Sequence, residues 1–201
     1  MKKVVLGIAL VLFSLGVSAQ NYQNNITVNG THKYTVTPQY MAKMIVSLNN
    51  VYYDAQTVTL SEIKSSYMDK LAKAGISSDR LKENKLQYAL MGYEKEGTVF
   101  EFKTNSIEEM QTFLTTKSMG VSKSDSNMEA VLTDAQVAEY AKAAFDNAKA
   151  KAEAIAKKIG RKIGKAIYIS DTNNKKVYES LYYGNVGTEK EYYVSVSFEL
   201  L

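Results

Sequence analysis

The chain has 201 residues, 45% of them hydrophobic and 23% charged, with a formal net charge of +4, the proportions of a folded globular protein of one domain or two small ones. Zero cysteines exclude disulfides, thiolate nucleophiles and every Cys-based metal site, and the single histidine, His32, excludes multi-His metal centres and leaves a His-based triad to that one residue.

Residues 1–19 read as a secretory signal peptide. Met1-Lys2-Lys3 makes a basic start, residues 4–17 are almost unbroken apolar, and Val17-Ser18-Ala19 supplies the small residues of a cleavage site. The apolar run, about 14 residues, is shorter than the roughly 20 of a membrane-crossing helix. The expectation is cleavage between Ala19 and Gln20, export to the periplasm with secretion as the alternative, no transmembrane segment thereafter, and a single domain over residues 20–201. Losing Lys2 and Lys3 takes the formal charge from +4 to +2. A chain so close to neutral is a poor ligand for nucleic acid.

Ile26-Thr27-Val28-Asn29-Gly30 and then residues 34–37 alternate large and polar side chains around a glycine, the pattern of a bent strand or a tight hairpin. After Pro38, residues 41–48 place Met44, Val46 and Leu48 on one face at period two and predict a second strand. Leu60, Ile63, Tyr67, Leu71 and Ala74 recur at threes and fours behind a Thr59/Glu62 capping box and ahead of Gly75, which predicts an amphipathic helix. Leu86, Tyr88 and Leu90 alternate with polar or small neighbours, and residues 98–103 alternate again, so two strands joined through residues 92–97 are expected.

A short helix carrying Ile107, Met110, Phe113 and Leu114 follows, capped by Asn105 or Ser106 with Glu109 in a Ser-x-x-Glu box. Residues 121–132 read as a weaker strand interrupted at residues 124–127. The longest element covers residues 134–159, where Val137, Ala141, Ala144, Ala148, Ala152, Ile155 and Ile159 form one stripe between the Thr133/Gln136 cap and Gly160. Residues 166–170 predict a strand, 171–176 a polar turn and 192–200 the final strand. Strands and helices mix without a strict βαβ alternation. The predicted class is therefore α+β, a largely antiparallel sheet with amphipathic helices packed on one face and one long Ala/Lys-rich helix near the C-terminal third.

Chemistry-bearing patterns are sparse. Gly160-Arg161-Lys162-Ile163-Gly164-Lys165 is one residue short of a phosphate loop, is followed by Ala166 where a Ser or Thr belongs, and ends a helix where a phosphate loop begins one. The basic second half of the long helix is interleaved with Asp146 and Glu153, which reads as a solvated face; contact with anionic lipid head groups requires its lysines to cluster on one surface. His32 has no acidic or serine neighbour in sequence, and the carboxylate pairs Glu94/Glu96, Glu108/Glu109 and Glu189/Glu191 lack calcium-loop spacing. No catalytic, cofactor-binding or metal residue is assigned, and no cofactor is expected. Fifteen tyrosines and no tryptophan stand out. Adjacent pairs at Tyr52-Tyr53, Tyr182-Tyr183 and Tyr192-Tyr193 send one ring to each face if they lie in strands, so they serve an oligomer interface, ordinary core and surface, or a glycan-stacking site.

Several stretches, in order, resemble one family: the opening Ile26-Thr27-Val28-Asn29-Gly30 with Pro38 after it, Leu71-Ala72-Lys73-Ala74-Gly75-Ile76, Gly92-Tyr93, Asn147-Ala148-Lys149-Ala150-Lys151-Ala152, the run from Ile159 through Lys165, Ile167-Tyr168-Ile169-Ser170 and the closing Val194-Ser195-Val196-Ser197-Phe198-Glu199-Leu200. The chain is similar to SIMPL-domain (DUF541) proteins over nearly all of residues 20–201. That resemblance implies an exported, usually periplasmic bacterial protein, oligomers in some members, a link to envelope or oxidative-stress defence, and no established enzymatic activity. The resulting expectation is a non-enzyme acting by self-assembly or protein interaction, with Tyr52, Tyr53, Tyr182, Tyr183, Tyr192 and Tyr193 at the interface and a homo-oligomer, an envelope protein or a glycan as partner. The alternative is a monomeric glycan- or peptide-binding module of the envelope.

Overall fold

The computed structural model describes residues 24–52, 57–181 and 187–201. Their strands are β1 (Asn25–Thr35), β2 (Gln39–Ser47), β3 (Leu81–Asn84), β4 (Gly97–Thr104), β5 (Val121–Val131), β6 (Ile163–Asp171), β7 (Lys176–Ser180) and β8 (Glu189–Leu200); the helices are α1 (Leu60–Lys73), α2 (Lys85–Leu90), α3 (Ile107–Thr115) and α4 (Asp134–Lys158). They make a three-stranded sheet in the order β1-β8-β6 and a five-stranded sheet in the order β3-β4-β2-β5-β7. The β2–β4, β2–β5, β3–β4, β5–β7 and β6–β8 pairs are antiparallel. The class is α+β. The described residues divide into two compact units, a larger one of residues 32–141 and 173–192 and a smaller one of residues 24–31, 142–172 and 193–201.

In the larger unit, Met44 faces Phe100 and Ala42 faces Phe102 across the β2–β4 ladder, and α1 and α3 bury Ile63, Tyr67, Leu71, Met110 and Phe113 in the same core. The Phe102 and Phe113 rings are 5.0 Å apart. Helix α1 begins with the reciprocal Thr59/Glu62 capping box and ends at Gly75, whose φ of 88° lets the Ile76 amide close back on the Leu71 carbonyl. Ile45 and Val99 point to the opposite side of the sheet, where Tyr88 covers them.

Two expectations change here. The Leu86/Tyr88/Leu90 segment is the short helix α2, not a strand: the Asn84 side chain accepts from the Gln87 amide and caps it, only Tyr88 is buried, and Leu86 and Leu90 face solvent. The strand of that region, β3, lies just before it. Strand β5 runs unbroken through residues 124–127 because a register shift against β2, between Ala42 and Met44, absorbs the polar residues as a bulge. Strand β1 is one strand, the first of the two forms its sequence allowed.

In the smaller unit, small residues do the packing. Ala144, Ala148, Ala152 and Ala156 of α4 are fully buried, and a Cβ at Gly30 would lie 1.9 Å from the Ala144 carbonyl oxygen and 2.7 Å from the Ala148 Cβ. Val194, Val196 and Phe198 of β8 are buried on one face, with the Phe198 ring 5.8 Å from Phe145. The predicted stripe holds as far as Ala152; beyond it Ala156 is buried, while Ile155 and Ile159 are exposed. No helix of the described residues is long and apolar enough to cross a membrane.

Candidate interaction surface

Tyr192 and Tyr193 adjoin on β8 and have opposite fates. Tyr192 is 2% exposed, its ring 6.4 Å from Tyr34 and 6.3 Å from Tyr140, which stack on each other at 4.6 Å. His32 lies 5.3 Å from the Tyr140 ring. Burial pushes the Tyr34 phenol above its ordinary pKa. This is an aromatic cluster of the larger unit, and Tyr192 is packed inside the chain, out of a partner's reach. Tyr193 is 51% exposed and Tyr52 85%; Tyr53, Tyr182 and Tyr183 lie outside the described residues. The cluster of Tyr34, Tyr140 and Tyr192 escaped sequence reasoning because its members are separated by long stretches of chain and share no spacing.

Strand β8 alternates, so Tyr193, Ser195 and Ser197 point away from the face that carries Val194, Val196 and Phe198. The β6–β8 register sets Tyr168 against Ser197 and Ser170 against Ser195, and Thr27 of β1 is hydrogen-bonded to Ser197, oxygen to oxygen at 2.7 Å. Hydroxyl groups from three strands thus share one face, with Tyr168 and Tyr193 roughly 13 Å apart by strand geometry. Tyr168 is 61% exposed.

Strand β6 is the outer strand of this sheet. Ile167, Tyr168 and Ile169 are exposed in succession, so both sides of the strand present large apolar surface. Ile169 is in register with the buried Val196 yet is itself exposed, and a register shift between Ala166 and Tyr168 sets Ile167 apart from the ladder. An edge of this kind is a template for another strand unless it is blunted. The sequence carried a signal for it, three large residues in a row where a one-sided strand would alternate, but edge position is a property of the topology.

The family model of SIMPL, a protein of unknown function (DUF541), matches residues 26–197, from β1 to β8. The chain belongs to the SIMPL family. No curated protein matches it. A family of unknown function indicates no catalytic class, and several carboxylates of this SIMPL chain are engaged in holding the fold. Glu62 accepts from the Thr59 amide at 2.8 Å and its hydroxyl at 2.9 Å, which keeps its carboxyl below the ordinary range. Arg80 chelates both oxygens of Glu109 at 2.8 Å; with the Thr104 hydroxyl it lowers Glu109 to about 2. Glu108 is lowered by the Ser106 hydroxyl, and Glu189 pairs with Lys33 at 3.0 Å.

Among the described residues no group of three or more His, Cys, Asp or Glu is placed to hold a metal. A cleft of about 500 Å³ is lined by Thr57, Val58, Ile63, Ser66 and Met119, and among the described residues its one acid is the capping Glu62. The glycine-rich run after α4 is a turn: Gly160 has φ 71°, the Arg161 amide closes on the Ala156 carbonyl, and the Arg161 guanidinium donates to the carbonyl oxygens of Leu200 and Leu201 and to the Asn24 side chain.

Proposed function

We propose that this SIMPL chain is an exported, non-enzymatic protein of the bacterial envelope that acts by self-assembly, through the β6 edge and the hydroxyl- and tyrosine-bearing face of its sheet. The observation that carries this reading is the exposure of Ile167, Tyr168 and Ile169 in sequence on an outer strand. Leaving such a strand in water invites pairing with a second chain, which satisfies its backbone groups and buries its side chains together. Tyr168 and Tyr193 add rigid, amphipathic contact area of the kind interfaces favour. The basic start and short apolar run of residues 1–17 support export, and the family resemblance supports a role in envelope or stress defence.

Light scattering coupled to gel filtration, on the chain from Gln20, tests it. The wild type is expected as an oligomer of fixed size, and Tyr168→Lys with Ile169→Lys as a monomer of unchanged circular dichroism. A wild type that stays monomeric at every concentration would overturn the reading. The same face supports a second one, a glycan-binding module, because its side chains at Thr27, Tyr168, Ser170, Tyr193, Ser195 and Ser197 are uncharged and hydroxyl-bearing. A monomer whose tyrosine fluorescence shifts on adding peptidoglycan fragments is the outcome that favours it.

A further inference from the structure

The smaller unit is basic. Its described residues hold eight Lys and Arg against four Asp and Glu, a formal +4, whereas those of the larger unit hold fifteen against sixteen, a formal −1. Part of the positive charge is compensated: Lys142 pairs with Asp146 at 2.6 Å, Lys149 with Glu153 at 3.9 Å and Lys165 with Glu199 at 3.7 Å. Lys157, Lys158 and Lys162 are exposed and have no ion-pair partner among the described residues. They gather where α4 ends, and Lys157 and Lys162 line, with Glu153, Gly160, Arg161 and Ile163, a cleft of about 570 Å³.

Aliphatic side chains stand beside them. Ile155 is 45% exposed and Ile159 58%. Lys158, three residues from Ile155, shares its face, and Ile159 follows one turn on; Lys157, two residues from each isoleucine, stands on the other flank, and Lys162 lies in the turn beyond. Lys151 donates to the Asn29 carbonyl oxygen at 3.0 Å, so the unpaired lysines and the isoleucines meet at the C-terminal end of α4 rather than along one stripe. Each partly exposed isoleucine forgoes part of the gain that full burial brings. A polyanion such as nucleic acid would answer the lysines and leave the isoleucines in water; a purely apolar partner would strand the ammonium groups. The boundary of an anionic bilayer answers both, since aliphatic groups enter the acyl region while lysines reach up to the phosphates.

We propose that the end of α4 and the turn after it, residues 151–163, form a docking surface for an anionic phospholipid bilayer. The contact is peripheral and reversible. It involves residues other than those of the β6 edge, and it does not depend on self-assembly.

Co-sedimentation with vesicles tests it. The chain from Gln20 keeps every described element, since both units are built from residue 24 onwards, and lacks the apolar leader that would itself bind lipid. It is expected to sediment with equimolar phosphatidylglycerol and phosphatidylcholine and not with phosphatidylcholine alone. Lys157→Gln, Lys158→Gln and Lys162→Gln together are expected to weaken binding about 100-fold, at roughly fivefold for each cation near such a surface. Ile155→Ser with Ile159→Ser, at exposed positions that leave the alanine stripe intact, is expected to weaken it about tenfold or more, the worth of burying a fraction of each side chain. No binding to the anionic vesicles, or binding that survives both variants, overturns the proposal. So does a loss confined to the lysine variant together with equal binding to heparin, which would mark a polyanion site, and so does a change of oligomeric state in the isoleucine variant, which would mark a contact between copies. Tyr168→Lys with Ile169→Lys is expected to keep lipid binding, which separates a failure here from a failure of the assembly reading.

Discussion

In the larger unit the helices meet the sheet through big side chains, Tyr67, Met110 and Phe113 against Phe100 and Phe102, while in the smaller one a stripe of alanines on α4 lies almost in contact with the backbone at Gly30. Large side chains fill the space between layers spaced apart, so the energy resides in side-chain volume, and removing atoms leaves a void. Alanine against glycine brings backbone to backbone, so the energy resides in closeness, and adding atoms does the harm. The charges divide along the same line. Among the described residues, the carboxyls held below their ordinary range, Glu62, Glu83, Glu108, Glu109 and Glu129, all belong to the larger unit, and the uncompensated cations at the end of α4 belong to the smaller.

The largest effect expected from this contrast is at Phe102, which is fully buried, 5.0 Å from the Phe113 ring and covered by the Arg80 guanidinium at 4.9 Å. Phe102→Ala is expected to cost about 3–5 kcal/mol in urea denaturation, with the loss of amide protection concentrated in β2 and β4. A cost below about 1 kcal/mol would mean that the core can collapse into the space and that its large side chains are not what holds it.

Gly30→Ala is the inverse test in the smaller unit. The added methyl would meet the Ala144 carbonyl oxygen at 1.9 Å, and backbone cannot swing aside as a side-chain tip can. About 1–3 kcal/mol of destabilisation is expected, with amide exchange accelerating in residues 142–158. Unchanged stability would show that α4 can draw away from β1 at little cost and would remove the close-packed half of the comparison.

These two packing modes were unequally legible in the sequence. Helices α1, α3 and α4 announce themselves by caps, at Thr59/Glu62, Ser106 and Thr133/Gln136, and by apolar spacing, because both signals are local. Strand β4 and the buried half of β8 alternate and are equally readable. Helix α2 misleads for a physical reason: its two leucines are in solvent, so Leu86, Tyr88 and Leu90 mimic a strand, and the decisive bond is the one from the Gln87 amide to the Asn84 side chain. The end of α4 misleads in the opposite sense, since Ile155 and Ile159 continue the stripe in sequence after it has left cover in space. Of the candidate surface, the separate fates of Tyr192 and Tyr193 follow from strand alternation, but which ring goes inward depends on Tyr34 and Tyr140 from distant elements. The exposure of β6 depends on strand order, which no local pattern encodes.

The smallest expected effect is on acid stability, and it follows from the division of carboxylates. Glu109 titrates near 2 in the fold, with the Arg80 chelate as first cause and the Thr104 hydroxyl as second, against about 4.3 in an unfolded chain. A depressed value means that folding favours the ionised form, so its contribution is complete above about pH 4.3 and disappears as the pH falls towards 2. The pair is exposed to water and screened by salt, so the contribution is small and shrinks as ionic strength rises. Between about pH 5 and pH 2, the wild-type urea midpoint is therefore expected to fall further than that of Glu109→Gln, which starts lower and changes less. The difference between the two is expected to narrow in high salt. Equal losses in the two proteins would move the acid sensitivity to the other lowered carboxyls of the larger unit, Glu62, Glu83, Glu108 and Glu129. A midpoint loss tracked by exchange in residues 142–158 alone would place it in the smaller unit and break the electrostatic half of the comparison.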